Sequence, residues 1–344
     1  MKENSELNHI ITNEVETIDF SGVVYVKQDE NIISNLAFGY ADRVEKRKNN
    51  LHTRFGIASG CKLFTAIGIS KLIEDGLLNY DTYLVDCLDI HFPNFDKEIT
   101  IHHLLTHTSG IPDYFDEEKM SDYEDLWKDY PVYQINSLKD FLPLFQKEPM
   151  KFKPGHRFHY NNAGYILLGL ILEEQTGRSF NEYIESEIFR KSHMMDSGYF
   201  ALDQLPENTA IGYIDDHEEN TWRTNIYSIP KKGGSDGGAF TTAADMMKLW
   251  ESLFNFKLLN EETTKRLLRP HVHVNGEISY GYGIWMNQRN NQIYKYHVMG
   301  YDPGVSFRAS VYPKSNLKIV IPSNIESGPF EVTKVIEGVL LKES

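Results

Sequence analysis

The chain has 344 residues, 41% of them hydrophobic and 24% charged, which allows one large or two medium domains with an ample core. Its 35 basic and 49 acidic residues give a net charge of -14, which argues against nucleic acid or an anionic membrane as the main partner. We expect no membrane span, because no apolar run reaches the length that a spanning helix needs. The two cysteines, Cys61 and Cys87, are too few for a disulfide framework.

The first eight residues carry acidic side chains and lack the apolar centre of a signal peptide. Together with the cysteine content, this start predicts a cytoplasmic protein, or an extracytoplasmic one if a leader has been removed. No pattern in the sequence indicates an oligomeric state.

In chain order, two apolar runs at residues 21–27 and 32–40 predict an antiparallel hairpin, and a third run follows at 54–57. Helical periodicity then predicts helices at residues 63–74, 101–106, 138–145, 163–175, 180–189 and 242–254. Strand-like alternation returns at residues 280–286, 293–297, 305–312 and 317–322, before a closing helix at 330–342.

This order of elements predicts an α/β fold of the α+β type. The late strands have short connections, so we expect them to join the N-terminal hairpin in one antiparallel sheet built from both ends of the chain and flanked by helices. The predicted division is a sheet domain of residues 1–75 and 236–344 and a mostly helical inserted region of residues 76–235. A cleft should form where the two meet. The Tyr- and Asp-rich stretch 114–130 is either a lid over that cleft or a surface loop.

Ser59 and Lys62 form the first pattern with chemical meaning. They precede and open a long apolar helix, on which side chains three positions apart share a face. A Ser hydroxyl is a weak nucleophile until a base takes its proton, and a Lys one turn away can be that base. A lone Ser-x-x-Lys match is equally explained by a Ser that caps the helix.

Tyr160 and Asn162 form the second pattern, on a loop that leads from a Pro-Gly turn into an apolar helix. A Tyr whose pKa is lowered by a nearby ammonium can shuttle protons, and Asn162 can orient Lys62 or a substrate amide. The structural alternative is that Asn162 is the N-cap of the helix and Tyr160 packs beside it.

His297 and the glycines after it form the third pattern. A strand that ends at His297 would bring a polar group to the cleft, and glycine lets a ligand approach the backbone closely. The N–H near Gly300 could pair with that of Ser59 as an oxyanion hole. The alternative is a histidine with satisfied hydrogen bonds before a turn.

Three other features are given no catalytic role. Cys61 is adjacent to Lys62 and points elsewhere on the helix, so we expect a buried structural residue. His103 and His107 have a spacing that metal sites use, but the Glu of His-Glu-x-x-His is missing, so we predict no metal site. The stretch 235–237 is left unassigned.

The order of Ser-x-x-Lys, Tyr-x-Asn and a strand-borne His resembles the β-lactamase-related serine hydrolases: class C β-lactamases, penicillin-binding proteins, D-stereospecific peptidases and β-lactamase-fold esterases. The resemblance covers nearly the whole chain. Residues 58–66 resemble the nucleophile helix, 100–111 a structural segment, 154–165 the second motif and 237–242 a Gly-rich segment before a helix. The resemblance implies a β-lactamase/transpeptidase-like fold.

The resemblance also implies a role for each site residue. Ser59 would attack the substrate carbonyl while Lys62 assists its deprotonation. Tyr160 would pass the proton to the leaving group and later activate water, and Asn162 would hold Lys62 and the acyl group. His297 would lie beside Tyr160 and keep the site positive or hydrogen-bonded. Whether Lys62 or Tyr160 is the base stays open.

One departure from the family pattern concerns Met299, which stands where relatives carry the glycine of Lys/His-x-Gly, one residue before Gly300. Its side chain could narrow the cleft, or a bulge could shift Gly300 into register. The departure weakens the assignment of Met299 and Gly300 to the oxyanion hole and argues against efficient β-lactam hydrolysis.

The predicted function is that of a serine hydrolase that cleaves a small ester or a D-amino-acid-type amide through an acyl-enzyme on Ser59. One alternative is a penicillin-binding D,D-peptidase or weak β-lactamase. Another, of a different class, is a non-turnover binding module for cell-wall-like peptides. We expect a small-molecule or peptide substrate, with β-lactams among the candidates, and no cofactor.

Overall fold

The computed structural model describes residues 2–341 and has the predicted mixed fold, an antiparallel sheet with helices on both faces. Its strands are, in chain order, β1 Gly22–Gln28, β2 Asn31–Phe38, β3 Tyr40–Asp42, β4 Arg47–Lys48, β5 Phe55–Gly56, β6 Tyr213–Asp216, β7 Thr221–Thr224, β8 Phe240–Thr241, β9 Val272–Asn275, β10 Ile278–Tyr280, β11 Trp285–Arg289, β12 Gln292–Asp302, β13 Val305–Tyr312 and β14 Leu317–Ser323.

Its α-helices are α1 Lys2–Thr17, α2 Lys62–Glu74, α3 Leu84–Cys87, α4 Ile101–Leu105, α5 Leu126–Asp129, α6 Asn162–Thr176, α7 Phe180–Ile184, α8 Ala243–Phe254, α9 Glu261–Leu267 and α10 Pro329–Leu340. Short 3-10 segments and one π-helical turn, Glu185–Phe189, join them. Within residues 2–341, no helix has both the length and the apolar character that a bilayer crossing requires.

The main sheet has eight strands in the order β2-β1-β14-β13-β12-β11-β10-β9, and every pairing is antiparallel. The N-terminal hairpin and the late strands meet where β1 pairs with β14, with Gly22 opposite Ser323. The predicted union of both ends of the chain in one sheet is therefore confirmed. All eight strands lie outside residues 76–235.

Two apolar layers cover the sheet. On one face α2, α6 and α8 form the larger core, in which ten of the thirteen residues of α2 are buried. On the other face α1 and α10 pack side chains such as Ile11 and Ile336 against Val24 and Ile319. Because helices cover both faces, every residue of β13 and β14 is buried, including the charged residues Arg308 and Lys318.

The predicted elements differ from the structure where a turn or a proline intervenes. The predicted strand 280–286 is split between β10 and β11 by a turn in which Gly281 N–H donates to Ile284 O at 2.8 Å. The predicted helix 138–145 is a 3-10 segment, Leu138–Leu144, whose Pro143 lacks the N–H that an α-helix needs. The helix α1 was not predicted from the sequence.

Candidate active site

Ser59 lies in a 3-10 turn, Ala58–Cys61, that leads directly into α2. The turn is strained at Ala58, whose φ of 45° is in the left-handed region that a Cβ disfavours. The Gly60 N–H donates to Ile57 O at 2.8 Å and holds the turn closed. The N-cap position of α2 is Cys61, without a side-chain cap, so the reading in which Ser59 merely caps the helix is wrong.

Lys62 is 2% exposed, and its ammonium contacts three oxygens. Its Nζ lies 2.8 Å from Ser59 Oγ, 2.8 Å from Asn162 Oδ1 and 2.6 Å from the carbonyl oxygen of Asp236. An ammonium has three N–H donors, so this set satisfies it fully, and a buried charge without such partners would be costly. The geometry brings Ser59 and Lys62 together, as their spacing predicts.

Asn162 is the first residue of α6, and its side chain is held from two sides. Its Oδ1 accepts from Lys62, while its Nδ2 lies 3.4 Å from a carboxylate oxygen of Asp113. Asp113 also accepts the N–H groups of Asn162 at 2.7 Å and Ala163 at 2.9 Å, two donors that the helix start leaves free. The N-cap is Asn161, so the reading of Asn162 as the cap is wrong.

The hydroxyl of Tyr160 lies close enough to the side chain of Ser59 for that side chain to lower the pKa of Tyr160. Burial raises the pKa of Tyr160 well above its ordinary value, and the Ser59 contact opposes this only in part, while the charges of Glu117 and Asp236 raise the pKa further. Tyr160 is therefore a neutral phenol near pH 7, which corrects the expectation of a lowered pKa. Ser59 Oγ is thus hydrogen-bonded to Lys62 and lies near Tyr160.

His107 is hydrogen-bonded to the loop that carries Tyr160. It was not recognised from the sequence as part of the site. Its Nδ1 lies 3.1 Å from the N–H of Asn161, and its Nε2 lies 3.2 Å from Tyr280 Oη. Burial lowers the pKa of His107 well below its ordinary value, so the ring is neutral and accepts the Asn161 N–H. The ring of His103, in turn, completes the capping box of Thr100 at the start of α4. Both rings thus have structural partners.

The strand β12 continues past His297, the predicted strand end, to Asp302. Its pairing with β11 stops where Trp285 lies opposite His297, so the following residues have a free edge on that side. A Cβ on Gly300 would lie 2.1 Å from Ile57 O, so glycine is required where the strand meets the nucleophile turn. The register with β13 is regular here, and no bulge is needed to bring Gly300 to the turn.

His297 and Met299 point to the sheet face opposite Gly300, because side chains alternate along a strand. Met299 Sδ lies 3.5 Å from Arg308 Nη2, although the residue borders the cleft. His297 is 6% exposed, and its ring lies 6.4 Å from that of Trp285, which lies 6.1 Å from that of Tyr160. Burial lowers the pKa of His297 well below its ordinary value, and its neighbouring cations act in the same direction. The structure therefore separates His297 from Tyr160 by an indole ring.

Two further residues at the site differ in how well the sequence indicated them. Cys61 is fully buried, and burial raises the pKa of its thiol to about 12, so the structural role predicted for it is confirmed. Asp236, which was left unassigned, supplies the carbonyl that binds Lys62, and its carboxyl accepts the hydroxyl of Tyr114. A backbone carbonyl has no side-chain signal in a sequence.

These groups open onto a cleft of about 790 Å³. Its lining includes Ser59, Tyr160, Asn162, Trp285 and Gly300, together with much of the stretch 114–123, which forms one wall. A second wall comes from residues 224–234. The indole of Trp127, which follows the first wall in the chain, donates to Ser228 O at 2.8 Å. A cleft of this size with convergent polar groups is typical of a small-molecule site.

Comparison with known proteins gives a consistent result. A model of the Beta-lactamase family matches residues 7–341. The crystal structure of a penicillin binding protein from Bacillus halodurans is 55% identical, has a TM-score of 0.92, and matches 96% of this chain and 100% of that one.

Two more distant relatives are similar over much of the chain. Penicillin-binding protein 4* of Bacillus subtilis is 29% identical over 285 residues, which are 79% of this chain and 60% of that protein. The chain thus spans about 60% of the length of that relative. The D-amino acid amidase from Ochrobactrum anthropi is 22% identical with a TM-score of 0.79, over 99% of this chain and 98% of that one, which shows a shared fold.

Proposed function

Since this chain belongs to the Beta-lactamase family of serine hydrolases, we propose that it cleaves a small ester or a D-amino-acid-type amide through an acyl-enzyme on Ser59. The observation that carries this proposal is the 2.8 Å contact of Ser59 Oγ with Lys62 Nζ at the wall of a cleft of about 790 Å³. A nucleophile within hydrogen-bond reach of a base that is itself oriented by a third group is the general arrangement of covalent catalysis. Asn162 is that third group.

In the resting site both Lys62 and Tyr160 are protonated, so Ser59 has no base that can accept its proton. Lys62 donates to three acceptors and Tyr160 is a phenol, so neither can accept the proton of Ser59 in that state. The reactive form has lost one proton from the Lys62–Tyr160 pair. Because Lys62 contacts Ser59 Oγ and Tyr160 lies near it, we assign the missing proton to the pair rather than to either residue.

In the first half-reaction Ser59 Oγ forms a bond to the substrate carbonyl carbon, and its proton passes to the Lys62–Tyr160 pair. The carbonyl oxygen becomes an oxyanion, which the N–H of Ser59 can stabilise. The C–O or C–N bond then breaks, and the leaving group takes a proton from Tyr160. In the second half-reaction water adds to the acyl carbon, gives its proton to the same pair, and Ser59 is released with its proton restored.

The second oxyanion donor comes from the free edge of β12. A two-residue turn, Pro303–Gly304, joins β12 to β13, so Asp302 and Val305 form the hydrogen-bonded pair that closes the hairpin. Alternate residues back along the strand, including Gly300, then direct their N–H toward β13. We therefore assign the second donor to Tyr301, one residue beyond the predicted Gly300, whose part is to leave room for the nucleophile turn.

A second candidate is a penicillin-binding D,D-peptidase or weak β-lactamase. It is favoured by the names of two relatives, the penicillin binding protein of Bacillus halodurans and Penicillin-binding protein 4* of Bacillus subtilis. Both candidates share the acyl-enzyme on Ser59 and differ in the substrate and in the rate of deacylation.

The test is the intact mass of the protein after incubation with a fluorophosphonate and, separately, with a penicillin. We expect an adduct on wild type and none on Ser59→Ala, together with at least a thousand-fold loss of p-nitrophenyl acetate hydrolysis for the variant, on the order of other nucleophile deletions. An unchanged melting temperature would show that the variant is folded.

The pattern of adducts separates the candidates. Labelling by the fluorophosphonate alone would support an esterase or amidase, and stable adducts with both reagents would support a penicillin-binding protein. Absence of any adduct, or turnover that survives Ser59→Ala, would contradict the acyl-enzyme proposal.

A further inference from the structure

We propose that the cleft selects substrates that carry a positively charged amine, which Asp302 and Glu117 bind beside the nucleophile. The proposal rests on the proposed function, because it concerns the substrate of Ser59. The substrate class is thereby narrowed to acyl compounds with a free amino group, such as amides or esters of amino acids, and away from substrates that are recognised by a carboxylate.

Asp302 reaches the cleft from the last position of β12. It is two residues beyond Gly300, so both lie on the same face of the strand, the face that meets the nucleophile turn. Its cross-strand partner Val305 lies near Gly56 on the same side, which fixes the direction of the Asp302 side chain. The carboxylate thus borders the space into which the substrate of Ser59 must enter.

Glu117 borders the same space from the opposite wall, the stretch 114–123, where it is exposed to solvent. The charge of Lys62 acts on both Glu117 and Asp302, so both carboxyls lie within electrostatic range of the reacting centre. The charge of Glu117 also raises the pKa of Asp302, so the negative charge of Glu117 disfavours ionisation of Asp302. One cation between them would offset this effect.

Neither carboxyl has a cationic partner among residues 2–341. The salt bridges of the described chain involve neighbours of Glu117, namely Asp116 and Glu118, but neither Glu117 nor Asp302. Desolvation, with the charge of Asp236 in addition, raises the pKa of Asp302 to about 7. A desolvated acid without a counter-ion is stabilised when a ligand supplies the positive charge.

Asp236, the third acid near the nucleophile, differs from these two because it already has a donor. Its carboxyl accepts the hydroxyl of Tyr114, and the residue is 8% exposed. Burial raises the pKa of Asp236, and the charge of Lys62 opposes that shift. Asp236 therefore adds to the negative potential of the cleft without being the group that the amine contacts.

The cations that line the cleft do not compensate these acids. Lys231 and Lys232 are both exposed, and Lys231 lies 3.0 Å from Asp203. Lys62 lies behind Ser59 with all three donors used. A substrate carboxylate would therefore enter a cleft lined by acids without a free buried cation, which disfavours it through repulsion and desolvation.

The experiment uses three substrates with the same scissile bond and different charge: D-alanine p-nitroanilide, its N-acetyl derivative and its N-succinyl derivative. We expect kcat/KM to fall in the order cationic, neutral, anionic at pH 7, where an α-amino group is mostly protonated, and at 0.15 M salt, where distant charges are screened. Asp302→Asn and Glu117→Gln should each lower the cationic-to-neutral ratio of kcat/KM about ten- to hundred-fold, the usual loss of one charge-assisted hydrogen bond.

A matched control and a measurement without turnover complete the test. Glu219→Gln removes one exposed carboxylate on the hairpin of β6 and β7, outside the cleft, and should leave the ratio unchanged. Protection of Ser59 against the fluorophosphonate is then compared for D-alanine amide and N-acetyl-D-alanine amide. Stronger protection by the amine, lost in Asp302→Asn, is the expected result.

Two outcomes would overturn the proposal. One is equal protection, or no protection, by the two amides. The other is a cationic-to-neutral ratio that Asp302→Asn and Glu117→Gln leave unchanged. The fluorophosphonate adduct on Ser59 reports the proposed function separately, so an amine preference that fails while labelling persists would refute this inference alone.

Discussion

The two sides of the cleft differ in how their residues are held. On the inner side Ser59, Lys62 and Asn162 sit at the starts of two buried helices, and each makes specific contacts with backbone or side chains. On the outer side the residues of 114–123 and 224–234 lie mostly in loops and turns, and many are exposed. We therefore expect the chemistry, which requires sub-ångström placement, to depend on the inner side and substrate selection to depend on the outer side.

This difference predicts how substitutions on each side of the cleft should affect activity. A substitution on the inner side alters groups that position one another, so its effect on kcat should be large for any substrate. A substitution on the outer side should change which substrate is preferred, while leaving the nucleophile competent. The following variants test the inner side from the largest expected effect to the smallest.

Lys62→Met should cause the largest loss, because it removes the ammonium that contacts Ser59 Oγ and Asn162 Oδ1 while keeping a side chain of similar length. We expect kcat to fall about a thousand-fold or more for every substrate and fluorophosphonate labelling to slow in parallel. Lys71→Met is the matched control, since Lys71 lies on the same helix but pairs with Glu74 and Asp75 near the surface. A Lys62→Met variant that labels at the wild-type rate would contradict the role of Lys62.

Asp113→Asn should have an intermediate effect, because Asp113 positions Asn162 without contacting substrate. An amide offers one acceptor oxygen where the carboxylate accepts the N–H groups of Asn162 and Ala163. We expect kcat to fall about ten-fold with little change in KM. In Asp113→Ala we expect kcat to fall further. An equal loss of kcat in both variants would argue that the contacts of the carboxylate do not position Asn162.

The stability of Asp113→Asn should also depend on pH differently from that of the wild type. Burial raises the pKa of Asp113 to about 7, although two backbone N–H groups and Lys62 act in the opposite direction. Between the unfolded pKa near 4 and about 7 the native state binds more protons, so this group's contribution is lost as pH rises. The stability of Asp113→Asn relative to wild type should therefore increase from pH 4 to 7, by at most about 1.4 kcal/mol per pH unit. If the urea midpoints of wild type and Asp113→Asn change in parallel across this range, the pKa of Asp113 is not shifted by folding.

The inner side could be predicted from sequence because its key relations are local. Ser59 and Lys62 are three residues apart, and Tyr160 and Asn162 flank one helix start, so their spacing allows them to act together. The order of these patterns along the chain, through the family resemblance, then identified them. The single antiparallel sheet also followed from short connections between strands. The division into residues 1–75 with 236–344 and residues 76–235 stays a prediction.

The remaining site residues could not be found in this way, because their contacts are long-range and often involve the backbone. Asp113 reaches the start of α6, His107 the N–H of Asn161, and the carbonyl of Asp236 reaches Lys62. No periodicity marks such contacts. The two acids proposed to bind an amine likewise lie on different walls and share no motif.

His297 shows how one residue of register decides an assignment. The sequence places a histidine on the right strand, but alternation along β12 turns His297 to the face opposite Gly300, behind Trp285. His297→Gln should therefore change kcat less than about three-fold for any substrate, since the side chain does not contact Tyr160. Trp285→Leu, which removes the ring that packs on Tyr160, should cost more. Measured kcat values in the reverse order would return His297 to the catalytic site and require a different register for β12.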